Sequence, residues 1–281
     1  MSSSALLVMM NKPVNGLLRF ARQGLVNHWL RFSRRRLVNR LLAGLFLLGL
    51  SNLSLAKPLD IAHRGYADMQ PESTLQAFEY AIAVGADGLE LDVRQTRDGV
   101  LVVHHDRAVA ELNSRTIESL SLDEILQHTQ IPMLEEVVSL AKSVNKPLWI
   151  EIKQSHLYPG IIQRTLALLG RYQYQHQSVI QSFNHADLAV IKQSGSNIEL
   201  LALYSRSFSV TQVPAYVRYV GLPAVVQYQQ AALVQAIHRA GKQVIFWRRD
   251  ANSERRAVIE SFIALGADGF MLNKPLSEIL K

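Results

Sequence analysis

From Lys57 onward the chain alternates short strand-like and longer helix-like patterns, and this alternation constrains the fold more than any single residue does. Strand patterns fall at Leu59–His63, Gly88–Val93, Val100–His105, Leu148–Ile152, Val179–Phe183, Glu199–Tyr204, Gln243–Trp247 and Gly269–Leu272. Helical patterns fall at Ser73–Val84, Ser121–His128, Leu134–Val144, Gly160–Tyr172, His185–Gln193, Gln229–Ala240 and Ser253–Leu265. Several of these stop just before a glycine (Gly85, Gly241, Gly266), where a left-handed cap would sit. Strands separated by helices imply a mostly parallel sheet covered by helices. Eight strands in about 225 residues predict an α/β fold of the (β/α)8 TIM-barrel type. Tyr219–Gln227 is a candidate ninth strand. The stretch from Val93 to Val100 is too short for a helix and predicts a tight link through Asp98-Gly99. The rival, a doubly wound open sheet, would want a Gly-rich dinucleotide fingerprint after an early strand, and none is present.

Composition narrows the function classes. With 48% hydrophobic and 19% charged residues the chain can bury a sizeable core, which excludes disorder as a whole. It has no Cys, so disulfides, a thiolate nucleophile and Cys-based zinc sites are excluded. The formal net charge of +7 is unevenly placed. Residues 1–56 carry eight of the 30 basic residues and none of the 23 acidic ones, leaving 22 against 23, or −1, in residues 57–281. A nucleic-acid binder should carry its basic patch on the folded domain, so nucleic acid is not the expected partner.

The basic excess belongs to a leader, and the domain boundary is expected between residues 56 and 57. Arg34-Arg35-Arg36 and Arg40 precede the apolar run Leu41–Leu50, and Ser54-Leu55-Ala56 follows with the small-x-small form of a signal-peptidase site. The apolar stretch is shorter than the roughly 20 residues of a spanning helix. The expectation is a cleaved signal peptide and a periplasmic or secreted mature protein. The alternative is an uncleaved signal anchor that holds the domain at a membrane. The basic region, about 40 residues, exceeds the 15–30 of a whole signal peptide. A start nearer Arg34, or a cytosolic extension, accounts for the excess.

The polar residues at strand ends carry the chemistry. In Leu89-Glu90-Leu91-Asp92-Val93 alternate side chains share a face, so Glu90 and Asp92 point one way and the apolar residues the other. Two carboxylates facing a barrel interior are costly unless paired or metal-bound. Glu151 and Lys153 repeat the pattern opposite Ile150 and Ile152, and His104 and His105 end another strand on opposite faces. Taken singly, each reads equally as an amphipathic strand, an ion pair or a hydrogen-bonded structural His. Four strands ending in polar residues at the face where barrel enzymes build active sites is harder to obtain from packing alone.

Several segments in order resemble the glycerophosphodiester phosphodiesterases: His63-Arg64-Gly65, Pro71-Glu72-Ser73-Thr74, Gly85–Val93, Thr96-Arg97-Asp98-Gly99, Val103–Asp106, Ile131–Glu136, Ile150–Lys153, Ser182-Phe183-Asn184 and Gly266–Gly269. The resemblance spans about residues 59–275. It implies a phosphodiesterase barrel with His63 and His105 as the acid/base pair and Glu90, Asp92 and Glu151 as ligands of one divalent cation. It further implies that Arg64 and Lys153 hold phosphate oxygens and that Glu72 supports the site. His104 competes with His105, which is preferred because Asp106 follows it directly. Three carboxylates form a hard oxygen site suited to Mg²⁺ or Ca²⁺. An imidazole takes and gives protons near neutral pH. The implied substrate is a glycerophosphodiester, cleaved through a cyclic phosphate to glycerol 3-phosphate and an alcohol. A lysophospholipase D-type lipid activity and a non-catalytic headgroup-binding barrel are the alternatives. Ser73 stands where the family usually has Asn, and Phe246–Asp250 and Leu272–Pro275 also depart from its pattern. The rim that meets the alcohol therefore differs.

Overall fold

The structure, a computed structural model, describes residues 57–281. The expected leader lies outside the described residues. Eight parallel strands close into a barrel: β1 (Leu59–His63), β2 (Gly88–Gln95), β6 (Leu148–Ile152), β7 (Ser178–Ser182), β8 (Glu199–Leu203), β9 (Tyr219–Pro223), β10 (Gln243–Trp247) and β11 (Gly269–Leu272). β1 pairs with both β2 and β11, which closes the ring. Between β2 and β6 the chain adds β3 (Leu101–Val103) and the small hairpin β4 (Ala108–Val109) and β5 (Arg115–Thr116). The helices are α1 (Leu75–Ala83), α2 (Leu122–Leu126), α3 (Leu134–Ser143), α4 (Ile161–Arg171), α5 (His185–Gln193), α6 (Ala231–Arg239), α7 (Arg256–Ala264) and α8 (Leu276–Ile279). Among the described residues no helix is long and apolar enough to cross a membrane.

The strand count comes out at eight, with one member exchanged. Val100–His105 is not a barrel strand: Leu101–Val103 runs antiparallel to β2, pairing Val93 with Val103. The short link through Asp98-Gly99 allows only a hairpin, because a parallel return needs a crossover of a dozen or more residues. Strand pairing also stops at Val103, so His104 and His105 lie in the following loop. The candidate ninth strand is the true member. Gly221 in β9 is there for space, since a Cβ would lie 2.6 Å from Leu203 Cδ2 and 2.8 Å from Leu201 Cδ2.

Alternation along the strands sorts the core into two layers. Inward residues of seven strands, Ile61, Trp149, Val179, Leu201, Tyr219, Ile245 and Met271 among them, fill the barrel interior. Leu89, Leu91, Val93 and Ile150 face outward and pack with Phe78, Val137 and Leu168 of the helices. The interior is thus sealed by apolar side chains below, and its polar residues stand at the C-terminal mouth.

One turn at that mouth is under strain. Arg64, Gly65 and Tyr66 are successive residues with positive φ (53°, 79° and 66°). Non-Gly residues there cost on the order of 1–3 kcal/mol each and persist only where the surroundings over-determine them. The buried Tyr66 ring and the bond from Arg64 N–H to Glu90 O (3.1 Å) supply that determination. Gly65 has no alternative, since a Cβ would meet Ala77 Cβ at 2.6 Å and its carbonyl carbon at 2.8 Å. Gly65→Ala is expected to destabilise the domain by about 2–4 kcal/mol, from left-handed strain plus overpacking against α1. Chemical denaturation checks this; an unchanged midpoint would show that the turn relaxes freely.

Candidate active site

Strand register builds the site. β1 and β2 pair His63 with Glu90, and β2 and β6 pair Asp92 with Glu151. Residues in register on neighbouring strands share a level and a face, so these four side chains converge inside the mouth. Glu90, Asp92 and Glu151 are buried, and one oxygen from each lies within 4.8 Å of the others. His63, Arg64, Glu72, Glu90, His105, Glu151 and Lys153 line one cavity of about 530 Å³. Asp92 lies beneath it, 2.9 Å from Lys153 Nζ.

The positions inferred from sequence therefore meet in one place, with two refinements. Lys153 and Arg64 both engage the carboxylates directly. Lys153 Nζ is also 2.8 Å from Glu151 Oε1, and Arg64 Nε is 3.5 Å from Asp92 Oδ2. Arg64 Nη1 donates to Glu72 at 3.0 Å, which explains the placement of Glu72 at the rim. His104 and His105 part company: His105 faces the active cavity, and His104 lines a separate one beside Glu111 and His128.

Other contributors were not singled out from sequence. Gln181 Nε2 donates to Glu90 Oε1 at 3.0 Å; a Gln at the inward end of a barrel strand was the available signal. Asn273 Oδ1 lies 2.6 Å from His63 Nδ1. The buried Arg94 donates from Nε to the carbonyls of His104 and His105 (3.2 and 3.1 Å) and from Nη1 to Gln154 Oε1 (3.1 Å). It ties the His105 loop to the end of β6, a link between distant segments that no local pattern announces. Phe183, Leu203, Trp247 and Met271 make the opposite wall of the cavity apolar.

Burial and crowding set the ionisation of the cluster. Burial, then the neighbouring Asp92 and Glu151 carboxylates, pushes Glu90 well above the usual carboxylate range. Burial lifts Glu151 to about 7 against the pull of Lys153. Asp92 resists the same burial because Lys153 and Arg64 hold it down at about 2. Burial and then Arg64 bring His63 down to about 4, so its imidazole is neutral near pH 7. Burial also lowers His105, with Lys153 and Arg64 assisting and Asp92 and Asp106 opposing.

These residues fit a hard divalent cation. The donors are all carboxylate oxygens, and Asp92 Oδ2 is buried without accepting a hydrogen bond, with Arg64 Nε beside it at 3.5 Å. Such an orphaned acceptor in an acidic cluster leaves capacity for a cation.

This is the site of a (β/α)8-barrel protein with two imidazoles above three buried carboxylates that could hold a cation. Residues 63–277 match the model of the glycerophosphoryl diester phosphodiesterase family. The chain is 30% identical over 245 residues to a glycerophosphodiester phosphodiesterase of Caldanaerobacter subterraneus subsp. tengcongensis, covering 78% of this chain and 95% of that one. It is 32% identical over 235 residues to one of Bacillus altitudinis, covering 76% and 94%. The solved structure of an Oleispira antarctica phosphodiesterase in complex with sn-glycerol-3-phosphate shares the fold, with TM-score 0.70, 22% identity, and 79% and 95% of the two chains covered. The chain belongs to the glycerophosphoryl diester phosphodiesterase family.

Burial pushes Glu90 and Glu151 up, so a cation must compete with protons for their oxygens. The apparent affinity for Mg²⁺ or Ca²⁺ is therefore expected to weaken as pH falls from about 8 to 6, by up to about tenfold per unit for each proton displaced. Calorimetric titration checks the slope; a flat profile would mean the carboxylates are already ionised.

Proposed function

We propose that this protein hydrolyses glycerophosphodiesters to glycerol 3-phosphate and an alcohol, with His63 and His105 as the proton-transfer pair. One observation carries the reading: two imidazoles and two cations border the same small cavity over three buried carboxylates. The relatives named for this activity support it, as does the product bound in the Oleispira antarctica phosphodiesterase.

The chemistry follows from the side chains. The glycerol 2-hydroxyl oxygen bonds to phosphorus as the bond to the leaving alkoxide breaks. One imidazole takes the hydroxyl proton, and the other gives its proton to the departing oxygen. Water then adds to the cyclic phosphate, the phosphorus bond to O2 opens, and the two imidazoles reverse roles. Both are equipped for this: His63 is held neutral by burial, and His105 Nδ1 sits 2.8 Å from the Asp106 carboxylate, which steadies the charged form. Arg64 and Lys153 present positive charge to the phosphoryl oxygens. Glu90, Asp92 and Glu151 would hold Mg²⁺ or Ca²⁺, which when bound polarises the phosphoryl group and acidifies the attacking hydroxyl. The apolar wall of Phe183, Leu203, Trp247 and Met271 suits the carbon skeleton of the substrate.

Hydrolysis of glycerophosphocholine, followed as glycerol 3-phosphate release, tests the reading. Chelator should abolish turnover and added Mg²⁺ or Ca²⁺ restore it. His63→Ala and His105→Ala should each lower kcat by roughly 10²–10⁴, the usual size of general acid–base catalysis. His104→Ala should retain most activity. Equal losses for all three, in step with lost thermal stability, would overturn the assignment.

The basic and then apolar leader supports export, with maturation at Ala56. Sequencing the N-terminus of the exported protein should find Lys57 first; an intact leader in the membrane fraction would instead favour anchoring.

A further inference from the structure

We infer that Asp68 and Asn273 are positioning residues that fix the proton of His63 on Nδ1 and leave Nε2 as a bare lone pair toward the cleft. The inference rests on the two-histidine reading above. His63 Nδ1 and Asn273 Oδ1 are 2.6 Å apart, and Asn273 Nδ2 is 2.8 Å from Asp68 Oδ1. An amide presents a donor on one side and an acceptor on the other, and shape alone does not say which faces where. The carboxylate decides it. An ionised Asp68 only accepts, so the NH₂ of Asn273 must face it and the carbonyl must face His63. That carbonyl also only accepts, so the proton of a neutral His63 must sit on Nδ1. Nε2 is then the free acceptor, 3.9 Å from Glu90 Oε2 on the cavity side.

Each member of this chain is itself held. Asp68 N–H donates to the backbone carbonyl of Asn273 at 3.2 Å, which ties the two segments together independently of the side chains. Asn273 N–H donates to Glu254 Oε1, and Glu254 receives Arg248 Nε at 2.9 Å. Arg248 Nη2 lies 3.9 Å from Asp68 Oδ1 and adds a further contact on the far side of the carboxylate. Asn273 is 6% exposed, so water does not compete for its amide. An amide in this place orients the ring without adding a further negative charge beside three buried carboxylates. It polarises the imidazole less than a carboxylate would, and its contribution is direction.

The test pairs a spectroscopic readout with kinetics on the full chain. Labelled with ¹⁵N-histidine in metal-free buffer, and assigned against His63→Ala, His63 should show a protonated Nδ1 and an unprotonated Nε2. In Asn273→Leu the pattern should move toward the Nε2–H form, and kcat should fall about ten- to hundredfold, as for other residues that orient a reactive ligand, with KM little changed. The double variant Asp68→Asn/Asn273→Asp exchanges the two partners while keeping the charge and an acceptor toward His63. It should restore both the Nδ1–H signature and most of kcat, and it keeps the inference open to test if Asn273→Leu does not fold. If His63→Ala leaves turnover intact, the two-histidine reading itself fails. If His63→Ala abolishes turnover, three results overturn the positioning inference alone: Nε2–H in the unaltered protein, unchanged kcat in Asn273→Leu, or an exchanged pair as slow as Asn273→Leu.

Discussion

Three carboxylates held out of water within ligand distance of one another is the constraint on which the rest of this molecule turns. Glu90, Asp92 and Glu151 repel one another and are poorly solvated, so the site is defined by how that charge is met. Two positive groups reach in from above, and their placement is uneven. Lys153 bridges Asp92 and Glu151, and Arg64 leans on Asp92. Asp92 consequently stays ionised, and Glu90, farther from both, is the carboxyl that burial protonates most readily. Burial, and then the same two cations, lowers both imidazoles, while burial lifts Glu151.

The geometry behind this is inexpensive to specify and hard to disturb. Register on adjacent parallel strands puts His63 level with Glu90 and Asp92 level with Glu151, so the scaffold itself sets the cluster. What the strands cannot supply comes from two irregular devices. The left-handed run Arg64–Tyr66 turns the Arg64 side chain back over β2, and the buried Arg94 draws the His105 loop onto the end of β6. Both devices carry an energetic cost, strain in one and a desolvated guanidinium in the other. The apolar layers inside and outside the barrel cover that cost without touching the mouth.

That division explains what could be read in advance. Glu90, Asp92 and Glu151 were visible because period-two alternation is a local property, and a carboxylate on a barrel's inner face contradicts the apolar pattern around it. The Asp98-Gly99 hairpin was visible for a similar reason, since chain length alone forbids a crossover there. Leu101–Val103 nonetheless resembled a barrel strand, because three buried aliphatic residues look the same on either side of a hairpin. β9 was the harder case: Gly221 and Pro223 are poor strand formers, and only the Leu201 and Leu203 side chains of β8 reveal why a glycine is wanted. Asn273 was noticed as a departure from the family pattern, but its partner Asp68 lies 205 positions away. Contacts at that separation leave no periodic trace.

The cavity's two walls complete the logic. On one side stand the charged groups and imidazoles, and on the other Phe183 and Trp247 meet edge to face, with ring centroids 5.8 Å apart. A small diester has the same division, an anionic centre flanked by carbon, so the cleft can orient it by polarity before any specific hydrogen bond forms. Arg248, which also lines the cavity, is held by Glu254 at 2.9 Å and lies 3.9 Å from Asp68. Arg249 has only a long contact to the Ser205 carbonyl at 3.4 Å and stands at the exposed lip of the cleft. The two adjacent arginines thus differ in place, one held against Glu254 and Asp68 and the other giving the entrance positive charge.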